Sequence, residues 1–147
     1  MQLTRQTDYA FRLLIYLALL PQDQRASIDE VSKIYDVSRN NLNKIVHQLG
    51  KSGIIDTKRG KGGGFKLKLP AEQVNVGDLV ELIENTLQVI DCKNPYCRIL
   101  PVCELKDVFT EAKLAFIDTL KKYTLADIVE KRSDKLIQIL EIKENSV

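Results

Sequence analysis

The stretch from Ser27 to Pro70 constrains the fold more than any other part of the chain. Ser27-Ile28-Asp29-Glu30 has the S-x-x-E form of a capping box, in which serine and glutamate satisfy each other's orphan amides at a helix start, so a short helix is expected to run to about Tyr35. Asp36-Val37-Ser38 then makes a tight turn, and Ser38 caps a longer helix from Arg39 to about Ser52, closed by Gly53. Helix, three-residue turn, helix is the form of a helix-turn-helix. On the longer helix Leu42, Ile45, Val46 and Leu49 recur at i, i+3, i+4 and i+7 and should face the core. Asn40, Lys44, His47 and Lys51 point the other way.

A basic hairpin follows directly. Ile54 to Lys58 and Phe65 to Leu69 read as two strands, with Gly60 and Gly62 to Gly64 making a flexible tip. Lys58, Arg59, Lys61, Lys66 and Lys68 charge it, and no acid follows Asp56 in the segment. The glycines lack the G-x4-GK[ST] order and the following helix of a phosphate loop. Placed after a helix-turn-helix, the hairpin is the wing of a winged helix, lying along a phosphate backbone. A polar helix face alone is ordinary. Amides and cations there are nevertheless what base edges and phosphates need, asparagine pairing with adenine and arginine or lysine with guanine. The candidate contacts to double-stranded DNA are Ser38, Arg39, Asn40, Asn41, Lys44 and His47 on the helix, with Lys58, Arg59, Lys61 and Lys66 on the wing.

The charge agrees. Residues 1–70 hold 12 Lys and Arg against 6 Asp and Glu, a surplus of +6, whereas residues 71–147 hold 10 against 14, a deficit of −4. A basic half joined to an acidic half implies a polyanion partner for the first alone. Thr7 or Asp8 can cap an opening helix that runs from Tyr9 to about Leu20 and stops before Pro21. Its run Leu13 to Leu20 is too short to span a bilayer and has no signal-peptide cleavage site, so a buried helix in a cytoplasmic protein is expected, with no membrane partner.

The second half turns on Cys92 to Cys103. All three cysteines of the chain lie in these twelve residues, spaced C-x4-C-x5-C. Pro95, Pro101 and the Asn94-Pro95 pair keep the stretch out of regular helix. Lys93, Asn94 and Arg98 make it too polar for a core segment, the odd count argues against a disulfide framework, and the tight C-x2-C knuckles of zinc are missing. A loop of thiols this widely spaced suits an iron–sulfur cluster, for which thiolate is the standard ligand. Before it, a helix is expected from Val76 to about Leu87. After it, a long one runs from Glu104 to about Tyr123. The stripe Leu105, Val108, Phe109, Ala112, Phe116 and Leu120 on that helix can pack internally or on a second copy, and the dimer is preferred, since one helix-turn-helix covers little DNA. Thr124-Leu125-Ala126-Asp127 opens a short helix, and Leu136 to Ile142 is apolar but ambiguous between helix and strand. The expected fold is mainly α with a small β-hairpin. Residues 1–75 make a winged helix-turn-helix DNA-binding region, and residues 76–147 carry the cluster-binding loop and the dimerisation helices.

The chain resembles the IscR/NsrR group of bacterial winged-helix regulators, the Rrf-two type. The motifs that carry the resemblance are the opening MQLT-x2-TDYA, the V-S-R-N start of the second helix of the motif, the R-G-K-x-G-G wing, the three-cysteine loop and the later Y-T-L-A-D. Within the group it is most similar to the nitric-oxide-sensing NsrR branch. The IscR-type site spaces its cysteines C-x5-C-x5-C and adds a histidine three residues on; here that residue is Lys106, and the one histidine, His47, sits on the recognition helix. The resemblance implies a homodimeric repressor with a [4Fe-4S] cluster (alternatively [2Fe-2S]) on Cys92, Cys97 and Cys103. It also implies a fourth ligand from the other subunit, and Asp8 in T-D-Y matches that position. Nitric oxide would be the signal. The alternative is the same fold sensing iron–sulfur supply or oxidants, with a cluster or with bare thiols. An enzyme, such as a cluster-dependent dehydratase, is disfavoured because the loop carries no histidine, serine or paired carboxylates for acid–base work.

Overall fold

The computed structural model describes residues 2–143. Helix α1 spans Arg5–Leu19, α2 Ile28–Tyr35, α3 Arg39–Lys51, strands β1 Ile55–Lys58 and β2 Gly64–Leu67, then α4 Val76–Ile83, α5 Glu104–Leu120, α6 Leu125–Glu130 and α7 Ser133–Ile139. The architecture is thus mainly α with one small antiparallel hairpin, as expected.

The local signals explain most of these boundaries. Ser27 and Glu30 form the expected capping box at α2, and Ser38 accepts the Asn41 amide at the start of α3. Between them Asp36 takes a left-handed conformation, φ 50°, and the turn closes with Val37 N–H donating to Ser32 O at 3.2 Å. Thr124 and Asp127 make a second capping box, which starts α6. Of the ambiguous tail, Leu136 to Ile139 belongs to helix α7, and Leu140 to Ile142 lies beyond it. In the hairpin Ile55 pairs with Leu67 and Lys58 with Gly64.

The structure corrects several expected boundaries. Helix α1 is capped by Thr4, so Thr7 and Asp8 lie within its first turn. Helix α4 stops at Ile83, well before Leu87, because Glu84 turns to extended backbone and sends its carboxylate to α1. Helix α5 ends at Leu120, where the chain turns toward Thr124. Strand β2 starts one residue earlier than expected and ends at Leu67. Lys68 and Leu69 instead donate to Ile54 O outside the ladder.

Helix α1 runs through the middle of one core. Its Ala10, Leu13, Leu14, Tyr16 and Leu17 meet Val31 of α2, Leu42, Ile45 and Leu49 of α3, Ile55 and Phe65 of the hairpin, Leu79 and Ile83 of α4, and Leu125 of α6. Leu140 and Ile142 join from beyond α7, so the C-terminal segments return onto the helix that starts the chain. Helix α5 contributes little to this core. Ile117 is its one buried residue, Leu105 and Val108 are more than half exposed, and Phe109, Phe116 and Leu120 are half-buried. The stripe expected on α5 is therefore largely uncovered within one chain.

Candidate nucleic-acid interface and cysteine loop

On α3 the inward residues Leu42, Ile45 and Leu49 are buried, which forces the opposite face outward. Ser38, Arg39, Asn40, Asn41, Lys44 and His47 are all exposed. Val46, expected in the core, is half-buried and lines a groove of about 710 Å³ between α3 and the wing. That groove brings His47 of α3 together with Lys58 and Arg59 of the hairpin. It also adds Asn43, Lys51 and Thr57, of which Asn43 and Thr57 carry no motif that marks them in the sequence. Asn41 and Lys44 face the other way, into a recess of about 140 Å³ shared with Arg5, Gln6 and Tyr9 of α1.

The cations are not equivalent. Among the described residues Lys58, Arg59 and Lys61 make no ion pair. Arg39 pairs with Asp29 at 3.0 Å, with both side chains about two-thirds exposed. Such a pair is worth at most about 1 kcal/mol and yields readily to a phosphate or a base. Lys66 differs, being half-buried with its ammonium 2.6 Å from Asp23. Asp23 is held below the usual carboxylate range by that partner. Ser38 Oγ accepts the Asn41 amide at 3.3 Å, which is its capping bond.

The cysteine loop has its own internal order. Asp91 accepts the amides of Lys93 at 2.9 Å and Asn94 at 3.2 Å, and these donors hold its carboxyl below the usual range. Cys97 N–H donates to Cys92 O at 3.0 Å, and Leu100 N–H to Cys97 O at 3.1 Å. Cys103 immediately precedes α5, where the helix dipole favours negative charge. All three thiols are half-buried and none is in a disulfide. Among the described residues no three His, Cys, Asp or Glu side chains stand close enough together to hold a metal ion. The donor set fits a soft metal or cluster, being three thiols on one loop. Among the described residues of one chain these thiols are not gathered around a common point, and no fourth donor stands with them.

Asp8 is exposed on α1, and Arg12 one turn later holds it in a two-point pair at 3.0 and 2.9 Å. The Arg12 guanidinium also lies 5.8 Å from the ring centre of Tyr9 and 6.0 Å from that of Tyr35. One turn back, α1 is tied to the root of the cysteine loop. Glu84 Oε1 accepts Thr4 N–H at 2.8 Å, the Thr4 hydroxyl at 3.0 Å and the hydroxyl of the fully buried Thr7 at 2.5 Å. Burial opposes the charge of Glu84, but these donors outweigh it and lower its pKa. Alongside, Gln48 of α3 accepts from Gln6 at 2.9 Å and donates to Leu82 O at 3.1 Å. The recognition helix, α1 and the last turn of α4 thus meet at one hydrogen-bonded joint.

A helix-turn-helix with exposed amides and cations beside a basic wing, whose Lys58, Arg59 and Lys61 make no ion pair among the described residues, defines a winged-helix DNA-binding protein. Residues 3–131 match the Rrf2 family, described as an iron-dependent transcriptional regulator, and the chain belongs to it. It is 42% identical over 146 residues to the HTH-type transcriptional regulator NsrR of Halalkalibacterium halodurans, covering 97% of this chain and 99% of that protein. The oxidised form of Staphylococcus aureus CymR superposes with a TM-score of 0.71 at 25% identity, covering 88% of this chain and 97% of that one. IscR of T. potens shares the fold with a TM-score of 0.73 at 20% identity, covering 92% and 90%. The protein is a DNA-binding transcriptional regulator, and the NsrR relative is a regulator and not an enzyme. No helix among the described residues is long and apolar enough to cross a membrane.

Proposed function

We propose that the protein is a homodimeric repressor whose operator affinity is set by an iron–sulfur cluster, [4Fe-4S] in preference to [2Fe-2S], and that nitric oxide is its signal. Cys92, Cys97 and Cys103 of one protomer would hold the cluster, and Asp8 of the partner would complete it. The observation that carries this reading is the placement of every thiol in the chain, unbridged and half-buried, on one loop. The root of that loop is tied by Glu84 to the helix bearing Asp8. Likeness to NsrR over nearly the full length supports it.

When bound, the cluster supplies iron that can take nitric oxide as a ligand, most readily where a hard carboxylate holds it weakly. The remaining steps belong to the chain. Asp8 leaves Arg12 to reach the partner's loop, which is cheap because the exposed pair is worth about 1 kcal/mol or less. That crossing fixes α1 of one protomer to the loop of the other. Through the Gln6–Gln48–Leu82 contacts it also fixes the pose of α3. The spacing of the two reading heads follows, and half-site spacing is what a dimeric helix-turn-helix reads. Once Asp8 is released it returns to Arg12, and the heads lose their register. In this division of labour residues 1–75 read DNA and residues 76–147 sense and dimerise.

Anaerobic purification with iron and sulfide counts, a visible spectrum and operator gel shifts before and after nitric oxide tests the reading. Cluster-bearing protein should bind and nitric oxide should release it. Absence of iron and sulfide, or binding indifferent to nitric oxide, would contradict it. The second reading, a sensor of iron–sulfur supply or of oxidants with cluster or bare thiols, is favoured only by the likeness to a CymR structure in an oxidised form. Peroxide, with and without the cluster, separates the two.

A further inference from the structure

We propose that Arg25 is a positioning residue for DNA recognition, fastening the root of the wing so that Lys58, Arg59 and Lys61 stand at a fixed offset from α3. This rests on reading α3 and the wing as the DNA face.

The wing cannot hold itself. Each of its strands has four residues, and an isolated two-stranded ribbon is marginally stable in water at best. Its tip is left-handed at Gly60 and Gly62, φ 85° and 71°, and is closed by one backbone bond, Gly63 N–H donating to Gly60 O at 2.9 Å. Buried Ile55 and Phe65 seat the strands on the core, and the link between α1 and α2 adds a polar joint. Ala26 and Phe65 exchange N–H to O bonds at 2.9 Å in both directions, adding a third edge to the ribbon. Gly64 makes this approach possible. It has φ 125°, and a Cβ there would stand 2.4 Å from Ala26 O.

Arg25 closes the joint. Its Nη1 donates to Asp56 O of β1 at 3.2 Å and to Gly64 O of β2 at 3.3 Å, and its Nη2 pairs with the Asp56 carboxylate. One planar group therefore spans both strands, a task for the guanidinium fork that a single ammonium cannot perform. The Arg25 side chain is only 20% exposed, and its terminal nitrogens are committed to the wing. Its effect on DNA must then pass through the wing's cations. The Asp23–Lys66 pair is a second tie on the same link, but with Asp23 mostly exposed it is the weaker one.

The test is a double-mutant cycle read as operator affinity across a salt series. Its proteins are the parent, Arg25→Ala, the wing triple Lys58→Ala/Arg59→Ala/Lys61→Ala, and the combination. Arg25→Ala alone should weaken binding about tenfold, because the unfastened wing must be ordered on binding. It should also flatten the salt dependence by about one for each phosphate that the wing no longer neutralises, although Arg25 itself touches no DNA. In the wing-triple background the same change should cost less than about twofold. An equal cost in both backgrounds overturns the proposal, since Arg25 would then act by direct contact or through overall stability. If the wing triple binds as tightly as the parent, the DNA-face reading falls and takes the proposal with it. Should Arg25→Ala melt well below the parent, Arg25→Lys runs the same cycle. It keeps the charge opposite Asp56 and loses the fork.

Discussion

Glu84 gives one carboxylate oxygen to three donors from α1, two of them on Thr4 and one on the fully buried Thr7. Glu84→Ala strands those donors and should cost about 1–3 kcal/mol, seen as a lower midpoint in urea, whereas Glu84→Gln keeps an acceptor and should cost less. Its folded pKa is lowered, so its contribution is present above the unfolded value of about 4.3. That contribution is lost as the pH falls through the folded value. Tyr16 and Tyr35 have the opposite sign. Burial, then the bond to Glu30, pushes the Tyr16 phenol far up, and burial raises Tyr35 to about 12 against the opposing charge of Arg12. Stability should therefore hold to about pH 10, where the unfolded phenols ionise, and decline above it. Tyr16→Phe should blunt that alkaline decline, followed by circular dichroism. The sequence could not show the Glu84 joint, because its partners lie 77 and 80 residues away. The cap of α1 is a local matter, Thr4 Oγ1 accepting Thr7 N–H at 3.5 Å, but Thr4, Thr7 and Asp8 are all capping residue types and the sequence alone does not rank them.

At the scale of elements, most of what is decided within four residues was legible, the Thr4 cap of α1 excepted. The capping boxes at Ser27 and Thr124 and the Ser38 cap stand where the S-x-x-E, T-x-x-D and turn signals put them. The two faces of α3 follow from its own periodicity. Ends set by distant partners were not legible, as at Ile83, where Glu84 leaves the helix for α1. Lys66 shows the same limit on the wing, since its pairing with Asp23 depends on a residue 43 positions back. Removing Lys58, Arg59 or Lys61 should weaken binding to every DNA sequence and lower the salt slope by about one for each phosphate left without its cation. Lys66→Ala should change the slope less. Replacing Arg39, Asn40 or Asn41 should instead relax base preference, at roughly 1–3 kcal/mol for a cognate pair. Binding assays on operator and scrambled duplexes over a salt series separate these outcomes.

At the scale of the whole molecule, the cysteine loop and α5 present apolar surface that one chain leaves uncovered: Tyr96, Ile99, Val102, Leu105 and Val108 are each more than half exposed. Large apolar side chains exposed in this number along one stretch are the mark of a contact surface, which favours a second copy packed on α5. Val108→Glu, at a position 57% exposed, should leave the fold intact and yield monomers in sedimentation at micromolar concentration. An unmodified protein that sediments as a monomer would contradict the dimer. We propose that Asp8 of one protomer, released from Arg12, couples the state of the partner's thiol loop to DNA affinity. The most direct test measures operator affinity with and without the cluster, for the parent and for Asp8→Ala. The expected result is a large cluster-dependent change in the parent and little or none in Asp8→Ala, which retains Cys92, Cys97 and Cys103. Equal changes in the two proteins would contradict the claim, and would leave Asp8 only as the partner of Arg12 on the first turn of α1.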